Sequence, residues 1–206
     1  MEREAQLSGG IYDKGVLIIS GHLRRRYADL GSLSLTASLA FEQSYAGVDG
    51  DSASIAEVVA LLSEISGLPV DQALAITGSI NQHGDVQPVG GVTHKLRGFH
   101  ALCRARGLDG SHGVILPVQN VRDLMLPREM VEDARSGRFS VFAVGRVEDA
   151  LEIALDAPLS EIDRRVRDRL GTFASELAAA PGGGDLAPTS AAVAPPSTPL
   201  PEPPAG

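Results

Sequence analysis

The stretch VDGDSAS, residues 48–54, stands directly before a run of apolar residues with helical spacing. These recur at intervals of three and four, at Ile55, Val58, Val59, Leu62 and Ile65. The spacing predicts an amphipathic helix from Ala53 onward, and Gly67 followed by Pro69 marks its end. Ser52, preceded by two acidic residues and a glycine, therefore lies at the N-terminal edge of this helix.

Two interpretations of Ser52 follow from this position. Serine and aspartate are common helix N-caps, because their side chains accept hydrogen bonds from free backbone N–H groups. A helix start also offers unpaired N–H groups and a positive dipole end, which can stabilise the oxyanion formed when a serine attacks a carbonyl. A nucleophilic serine needs a base, so the choice between cap and nucleophile depends on whether the rest of the chain offers one.

Outward from this helix, short apolar runs and helical patterns follow one another. Upstream, the continuous apolar run Gly15–Gly21 predicts a buried strand, and the alternation over Ser34–Glu42 predicts a half-buried strand. Downstream, Ala73–Ile80 reads as a strand with Gly84–Val89 as its hairpin partner. Further strands are predicted at 113–118 and 140–145, and further helices at 93–106, 128–137, 147–155 and 161–179. Strands and helices do not alternate strictly, so we expect an α+β (mixed α/β) fold.

Composition divides the chain into one folded domain with two tails. The last 26 residues hold 8 of the 13 prolines and almost no large apolar side chains, which predicts a disordered tail at 181–206. Residues 1–9 read as an N-terminal tail and 10–180 as one domain.

Charge and cysteine content exclude several classes of protein. The formal net charge of -8 argues against a nucleic-acid partner, which would require a basic face. The single cysteine, Cys103, permits no intrachain disulfide and fits a reducing compartment. The N-terminus lacks the apolar core of a signal peptide, and no apolar run reaches the ~18 residues of a membrane helix. We expect a soluble, cytoplasmic protein with no membrane partner.

The usual partners of a catalytic serine are missing from the sequence. The histidines, none in a recognised triad context, are His22, His83, His94, His100 and His112. There is no G-x-S-x-G elbow, and no H-E-x-x-H or cysteine pair for a metal. The chain has no G-x-x-x-x-G-K-[ST], so it has no P-loop ATPase of its own.

Lysines are scarce, and Lys95 has an unusual position. It falls in the first turn of the helix predicted at 93–106, with Phe99 and Leu102 four and seven residues further on. A helix N-terminus and an apolar face both disfavour the charged amine, and this should lower its pKa. The alternative is a lysine whose stem packs on Phe99 while its ammonium reaches solvent.

Three segments, taken in order, resemble the proteolytic domain of Lon proteases. They are DGDSAS at 49–54, TGSI at 77–80 and PVGGVTHK at 88–95. The interval of 43 residues from Ser52 to Lys95 (95 − 52) is similar to that of the family. The acid before the serine resembles the Lon B branch and related bacterial Lon-like proteases, as do residues 41–45 and 120–126. The resemblance covers residues 10–156 and does not include the tail.

The resemblance implies a Ser–Lys dyad on a fold like the second domain of ribosomal protein S5. Ser52 would be the nucleophile and Lys95, as a neutral amine, the general base. Thr77 matches the family threonine that hydrogen-bonds near the lysine amine. The backbone N–H groups of Asp51 and Ser52 would form the oxyanion hole, and the Asp51 side chain would adjust the active-site loop.

The implied function is a serine endopeptidase domain of an ATP-dependent protease, acting on unfolded polypeptides as a homohexamer. No cofactor is expected in this chain, because ATP would act only through an ATPase module in cis or in trans. Lon proteins normally carry that motor upstream, so the chain is either a fragment or a stand-alone peptidase. The alternatives are a non-catalytic Lon-like domain for assembly or partner binding, and a different Ser–Lys hydrolase of amidase or signal-peptidase type.

Overall fold

The computed structural model describes residues 10–31, 33, 35–40 and 49–179. The tails predicted at 1–9 and 181–206 lie outside these residues. The helices are α1 (Gly10–Arg26), α2 (Ser54–Ser66), α3 (Val92–Arg106), α4 (Arg128–Arg135), α5 (Val147–Leu155) and α6 (Leu159–Ala179), with 3₁₀ helices at Ala28–Leu30 and Val118–Asp123. The strands are β1 (Leu74–Ile76), β2 (Ser79–Ile80), β3 (Val86–Gln87), β4 (Gly113–Pro117) and β5 (Ser140–Val144).

A three-stranded parallel sheet in the order β1-β4-β5 forms the centre of the fold. The register pairs Ala75 with Val114 and Ile115 with Phe142. All five residues of β4 are buried, as expected for a continuous apolar run in a parallel sheet covered on both faces. β2 and β3 form a separate antiparallel hairpin.

The sheet separates two apolar layers. Ile115 of β4 belongs to the larger cluster, which includes the buried faces of α1, α2, α5 and α6. Val114 and Leu116 belong to the second cluster, with Val92 and Leu96 of α3. Successive strand residues point to opposite faces, so α2 and α3 pack on opposite sides of the same strand. This arrangement brings the chain before α2 and the first turn of α3 to one edge of the sheet.

The strand predicted at Gly15–Gly21 is wrong, because these residues lie within α1. The buried positions of α1 are Gly15, Ile19, His22 and Leu23, whereas Leu17 is 68% exposed. Burial at spacings of three and four is that of a helix with one face on the core. A short apolar run alone does not distinguish the two structures, and packing against α2 and β2 decides for the helix.

The strand predicted at Ser34–Glu42 is also not observed where the structure describes it. Residues 35–40 have no regular secondary structure, and 34, 41 and 42 lie outside the described residues. Leu39, on the face expected to be buried, is 44% exposed. Alternating hydrophobicity forms a strand only where a neighbouring strand takes up its hydrogen bonds, and none of the described strands pairs with these residues.

The strand predicted at Ala73–Ile80 is divided into β1 and β2 by Thr77 and Gly78. β1 joins the parallel sheet, while β2 pairs with β3 in the predicted hairpin. Gly78 has a φ of 153°, which favours glycine and turns the chain from one sheet to the other. The remaining predicted strands and helices are present with end shifts of a few residues. The mixed α/β fold class is confirmed.

Candidate active site

Ser52 lies in the turn before α2 and does not cap that helix. The N-cap residue is Ala53, which has no side-chain capping bond. The neighbouring Ser54 hydroxyl donates to the Asp51 carbonyl at 2.7 Å. The Ser52 Oγ instead accepts a hydrogen bond of 3.0 Å from Lys95 Nζ. The two residues that the sequence singled out, 43 positions apart, are therefore in direct contact.

The backbone of Ser52 is held by the break between β1 and β2. Gly78 N–H donates to the Ser52 carbonyl at 2.8 Å, and Ile55 N–H donates to the Gly78 carbonyl at 3.2 Å. A Cβ at position 78 would come within 2.4 Å of Ile55 Cδ1. Glycine therefore allows the close approach that fixes the serine-bearing turn against the sheet.

Thr77 connects the serine and the lysine. Its N–H donates to Ile115 of β4 at 3.0 Å, so its position is set by the central strand. Its Oγ1 accepts from Lys95 Nζ at 3.0 Å and donates to the Ser52 carbonyl at 3.4 Å. Thr77 is 6% exposed, so these two part-buried bonds are shielded from water on the threonine side.

Lys95 extends from the first turn of α3, where the sequence placed it. Lys95 is exposed as a whole residue, but partial burial of its side chain lowers the pKa of the amine, because desolvation disfavours the charged form. Phe99, one turn further on, lines the same cavity as Lys95. Leu102 does not line this cavity and is 47% exposed.

Asp51 is engaged away from the lysine. Its Oδ2 accepts a hydrogen bond of 2.9 Å from Ser79 Oγ, at the start of β2. Its carbonyl accepts from the Ser54 N–H at 3.1 Å. The carboxylate thus ties the serine-bearing turn to the hairpin. Sequence reasoning missed Ser79 as this partner, although it belongs to the TGSI segment that carried part of the resemblance.

A cavity of about 240 Å³ opens at the contact between serine and lysine. Most of its wall is apolar, and its lining residues are Ser52, Ala53, Ala75, Ile76, Thr77, Lys95, Phe99 and Val114. A hydroxyl beside an amine of lowered pKa, at the mouth of an apolar recess, can attack a carbonyl bound there.

The histidines take other roles. His100 Nε2 pairs with the buried Asp133 carboxylate at 2.8 Å and joins α3 to α4. His112 Nδ1 lies 3.1 Å from Asp109 Oδ1 without the geometry of a hydrogen bond. His83 is exposed at the tip of the β2–β3 hairpin and contacts Arg25. Within the described residues, no histidine nitrogen is hydrogen-bonded to the Ser52 hydroxyl.

The described residues contain neither a cluster of metal-ligating side chains nor a membrane-spanning helix. Residues 10–31, 33, 35–40 and 49–179 contain no group of three or more His, Cys, Asp or Glu side chains placed to hold a metal ion. Over the same ranges, no helix combines the length and the apolar character needed to cross a membrane.

The family model of the Lon protease (S16) C-terminal proteolytic domain matches residues 43–157. This span contains Ser52, Thr77 and Lys95. The chain belongs to the Lon protease family. The resemblance noted from the motifs is thereby confirmed, and the matched region is the proteolytic domain of a serine peptidase family.

Lon relatives in bacteria and archaea each match about three quarters of the chain. A putative Lon protease homolog of Escherichia coli is 47% identical over 156 residues, which are 76% of this chain and 27% of that protein. A putative Lon protease homolog of Haemophilus influenzae is 40% identical over 153 residues, 74% of this chain and 26% of that protein. An archaeal Lon protease of Archaeoglobus fulgidus is 35% identical over 153 residues, 74% of this chain and 22% of that protein. The chain spans about a quarter of the length of these relatives.

Proposed function

We propose that this Lon-type domain is a serine endopeptidase that hydrolyses peptide bonds in unfolded polypeptides through a Ser52–Lys95 dyad. The observation that carries the proposal is the position of Lys95 Nζ, 3.0 Å from Ser52 Oγ and 3.0 Å from Thr77 Oγ1. A nucleophile and base within hydrogen-bond reach, with a third group orienting the base, form the arrangement that covalent catalysis requires.

Acylation begins with Lys95 as a neutral amine. Lys95 Nζ takes the proton of the Ser52 hydroxyl while Ser52 Oγ forms a bond to the carbonyl carbon of the scissile peptide. The N–H groups of Asp51 and Ser52 are the proposed donors to the resulting oxyanion. The Lys95 ammonium then gives its proton to the leaving amine as the C–N bond breaks, which leaves an ester on Ser52.

Deacylation repeats the sequence with water as the nucleophile. Lys95 Nζ takes a proton from the water as its oxygen attacks the ester carbonyl. The proton then passes to Ser52 Oγ as the ester bond breaks, which releases the carboxylic acid and restores the dyad. Thr77 holds the amine at the required distance through both halves, and Asp51, bonded to Ser79, holds the serine-bearing turn.

Nucleotide has no part in these steps. The chain carries no P-loop motif, so coupling to ATP would come from an ATPase module in cis or in trans. A homohexameric ring would place several such sites around one chamber. Both features are proposed from the family, and the protein is proposed to act in the cytoplasm.

The test is the site of covalent labelling and its dependence on Ser52. A fluorophosphonate, followed by mass-spectrometric mapping, should modify the peptide that contains Ser52. Ser52→Ala should abolish labelling and peptide hydrolysis with little loss of stability, because removing even a capping hydroxyl costs only ~1 kcal/mol. Ser63→Ala, near the other end of α2, is the matched control and should label normally. Hydrolysis that persists in Ser52→Ala would exclude the dyad, and a wild-type chain that neither labels nor cleaves would favour a non-catalytic assembly domain.

A further inference from the structure

The segment that leads into α3 contains little to fix its own conformation. Residues 88–91 connect β3 to α3 and end in two glycines. Gly91 is the N-cap residue, with a φ of 69° and no side-chain capping bond. Lys95 lies one turn later in α3, and its N–H donates to the Gly91 carbonyl at 3.1 Å. The position of the lysine therefore depends on contacts from outside this segment.

Asn120 supplies such a contact with both atoms of its side-chain amide. Its Oδ1 accepts from the Val89 N–H at 3.0 Å, and its Nδ2 donates to the Val89 carbonyl at 3.0 Å. The planar amide thus satisfies both backbone groups of one residue, as a neighbouring strand would. Two parallel bonds from a rigid group fix direction as well as distance.

The residue that makes this contact is itself anchored to the central strand. Asn120 lies in the 3₁₀ helix Val118–Asp123, which follows β4 without a gap. β4 also holds Thr77, because the Thr77 N–H donates to the carbonyl of Ile115 in that strand. The same loop returns to α3 at Met125, whose N–H donates to Thr93 Oγ1 at 3.3 Å. β4 is therefore the common frame for the threonine and for the start of the lysine-bearing helix.

We infer that Asn120 is a positioning residue that sets the distance of the Lys95 amine from Ser52. It does not touch the reacting atoms and acts through Val89 and the first turn of α3. This inference rests on the proposed function, in which Lys95 is the base. It also assigns a role to the Asn120–Leu126 segment, which the sequence singled out and the dyad leaves unexplained.

The variants are Asn120→Ala, which removes both bonds, and Asn120→Asp, which keeps the volume and the acceptor but loses the donor. Gln119→Ala is the matched control. Gln119 Nε2 donates to the Val86 carbonyl at 3.0 Å, but Val86 is already held by the β2–β3 pairing. Hydrolysis of a small peptide, thermal unfolding and a pH profile are measured for all three.

Both Asn120 variants should lower kcat by roughly tenfold or more, since small misplacements of a catalytic group cost up to 10²-fold. KM should change little. Because a displaced amine is better solvated, the rise of kcat/KM with pH should move to higher pH, and part of the loss should be recovered there. Gln119→Ala should show the same pH dependence of kcat/KM as the wild type. Losses no larger than those of Gln119→Ala, or a lower rate with an unshifted profile, would overturn the inference.

A second readout separates this inference from the dyad itself. The chain has only two lysines, Lys14 and Lys95, so protein labelled with [¹³Cε]lysine gives two assignable signals. The Asn120 variants should move the titration of the Lys95 signal, and Gln119→Ala should not. If Ser52→Ala is inactive and the Asn120 variants leave Lys95 unmoved, Asn120 has no positioning role and the dyad stands. If Ser52→Ala remains active, the dyad fails, and the Lys95 signal alone decides whether Asn120 positions that amine.

Discussion

Titration of Lys95 is the most direct prediction of the proposed mechanism. A lysine amine at its ordinary pKa of about 10.4 is neutral in only about one molecule in 2,500 at pH 7. In the structure the amine is partly buried, which lowers its pKa. Both of its hydrogen-bond partners, Ser52 Oγ and Thr77 Oγ1, are uncharged. A pKa lower by one disfavours the charged amine by about 1.4 kcal/mol and raises the neutral fraction about tenfold.

The assay is the [¹³Cε]lysine titration described above, with Lys14→Arg to assign the signals. The Lys95 signal should titrate below the ordinary lysine range, and kcat/KM for a small peptide should rise through the same pH interval. Lys95→Arg should be inactive because a guanidinium does not release its proton in this range. Lys95→Met should also be inactive because it has no amine to act as the base. A Lys95 signal that titrates at or above the ordinary value, or substantial activity in either variant, would refute the role of Lys95 as base.

The same lowering has a consequence for stability. A base whose pKa is lower in the folded state destabilises the fold while it is charged, fully so below the folded-state pKa. The penalty declines as pH rises through that pKa and is absent above the unfolded-state value. Because only the wild type carries this penalty, the stability of Lys95→Met relative to the wild type should fall as pH rises toward the unfolded-state pKa. Urea unfolding at pH 7 and pH 10 should show this decrease, and a relative stability of the variant that grows with pH would contradict the sign.

Two further substitutions test the structure around the site, and two further measurements test the proposed activity and assembly. Thr77→Val should lower kcat about fivefold with KM nearly unchanged, since one hydrogen bond of about 1 kcal/mol that orients Lys95 is lost; an unchanged kcat would remove Thr77 from the site. Gly78→Ala should destabilise the fold by more than 1 kcal/mol and reduce activity, because of the contact with Ile55 and the backbone strain; a wild-type unfolding midpoint in urea would show that the site relaxes freely. The isolated chain should cleave unstructured peptides without ATP but not stable proteins, which resist unfolding by ~5–15 kcal/mol; nucleotide-stimulated degradation of a folded protein by this chain alone would contradict this. Sedimentation should show self-association of the active form, and full activity in a strict monomer would argue against a ring.

The elements with long and regular patterns could be predicted from the sequence alone. The period of α2, its end at Gly67 and the apolar run of β4 were each evident from local residues. Ser52, Lys95 and Thr77 were singled out as candidate site residues because their motifs and spacing resemble one family closely. These features depend on neighbours along the chain, so no tertiary contact was needed to find them.

Other features were decided only by packing. The run at Gly15–Gly21 became helical because one face of α1 meets α2 and β2, and a local pattern does not specify which partner an apolar residue will find. The division between β1 and β2 followed from two different pairing partners on either side of Gly78. The contact between Ser52 and Lys95 arises because α2 and α3 pack on opposite faces of β4. Sequence identifies the groups that can react, but their 3.0 Å separation is set by long-range hydrogen bonds and packing, which no local stretch of residues contains.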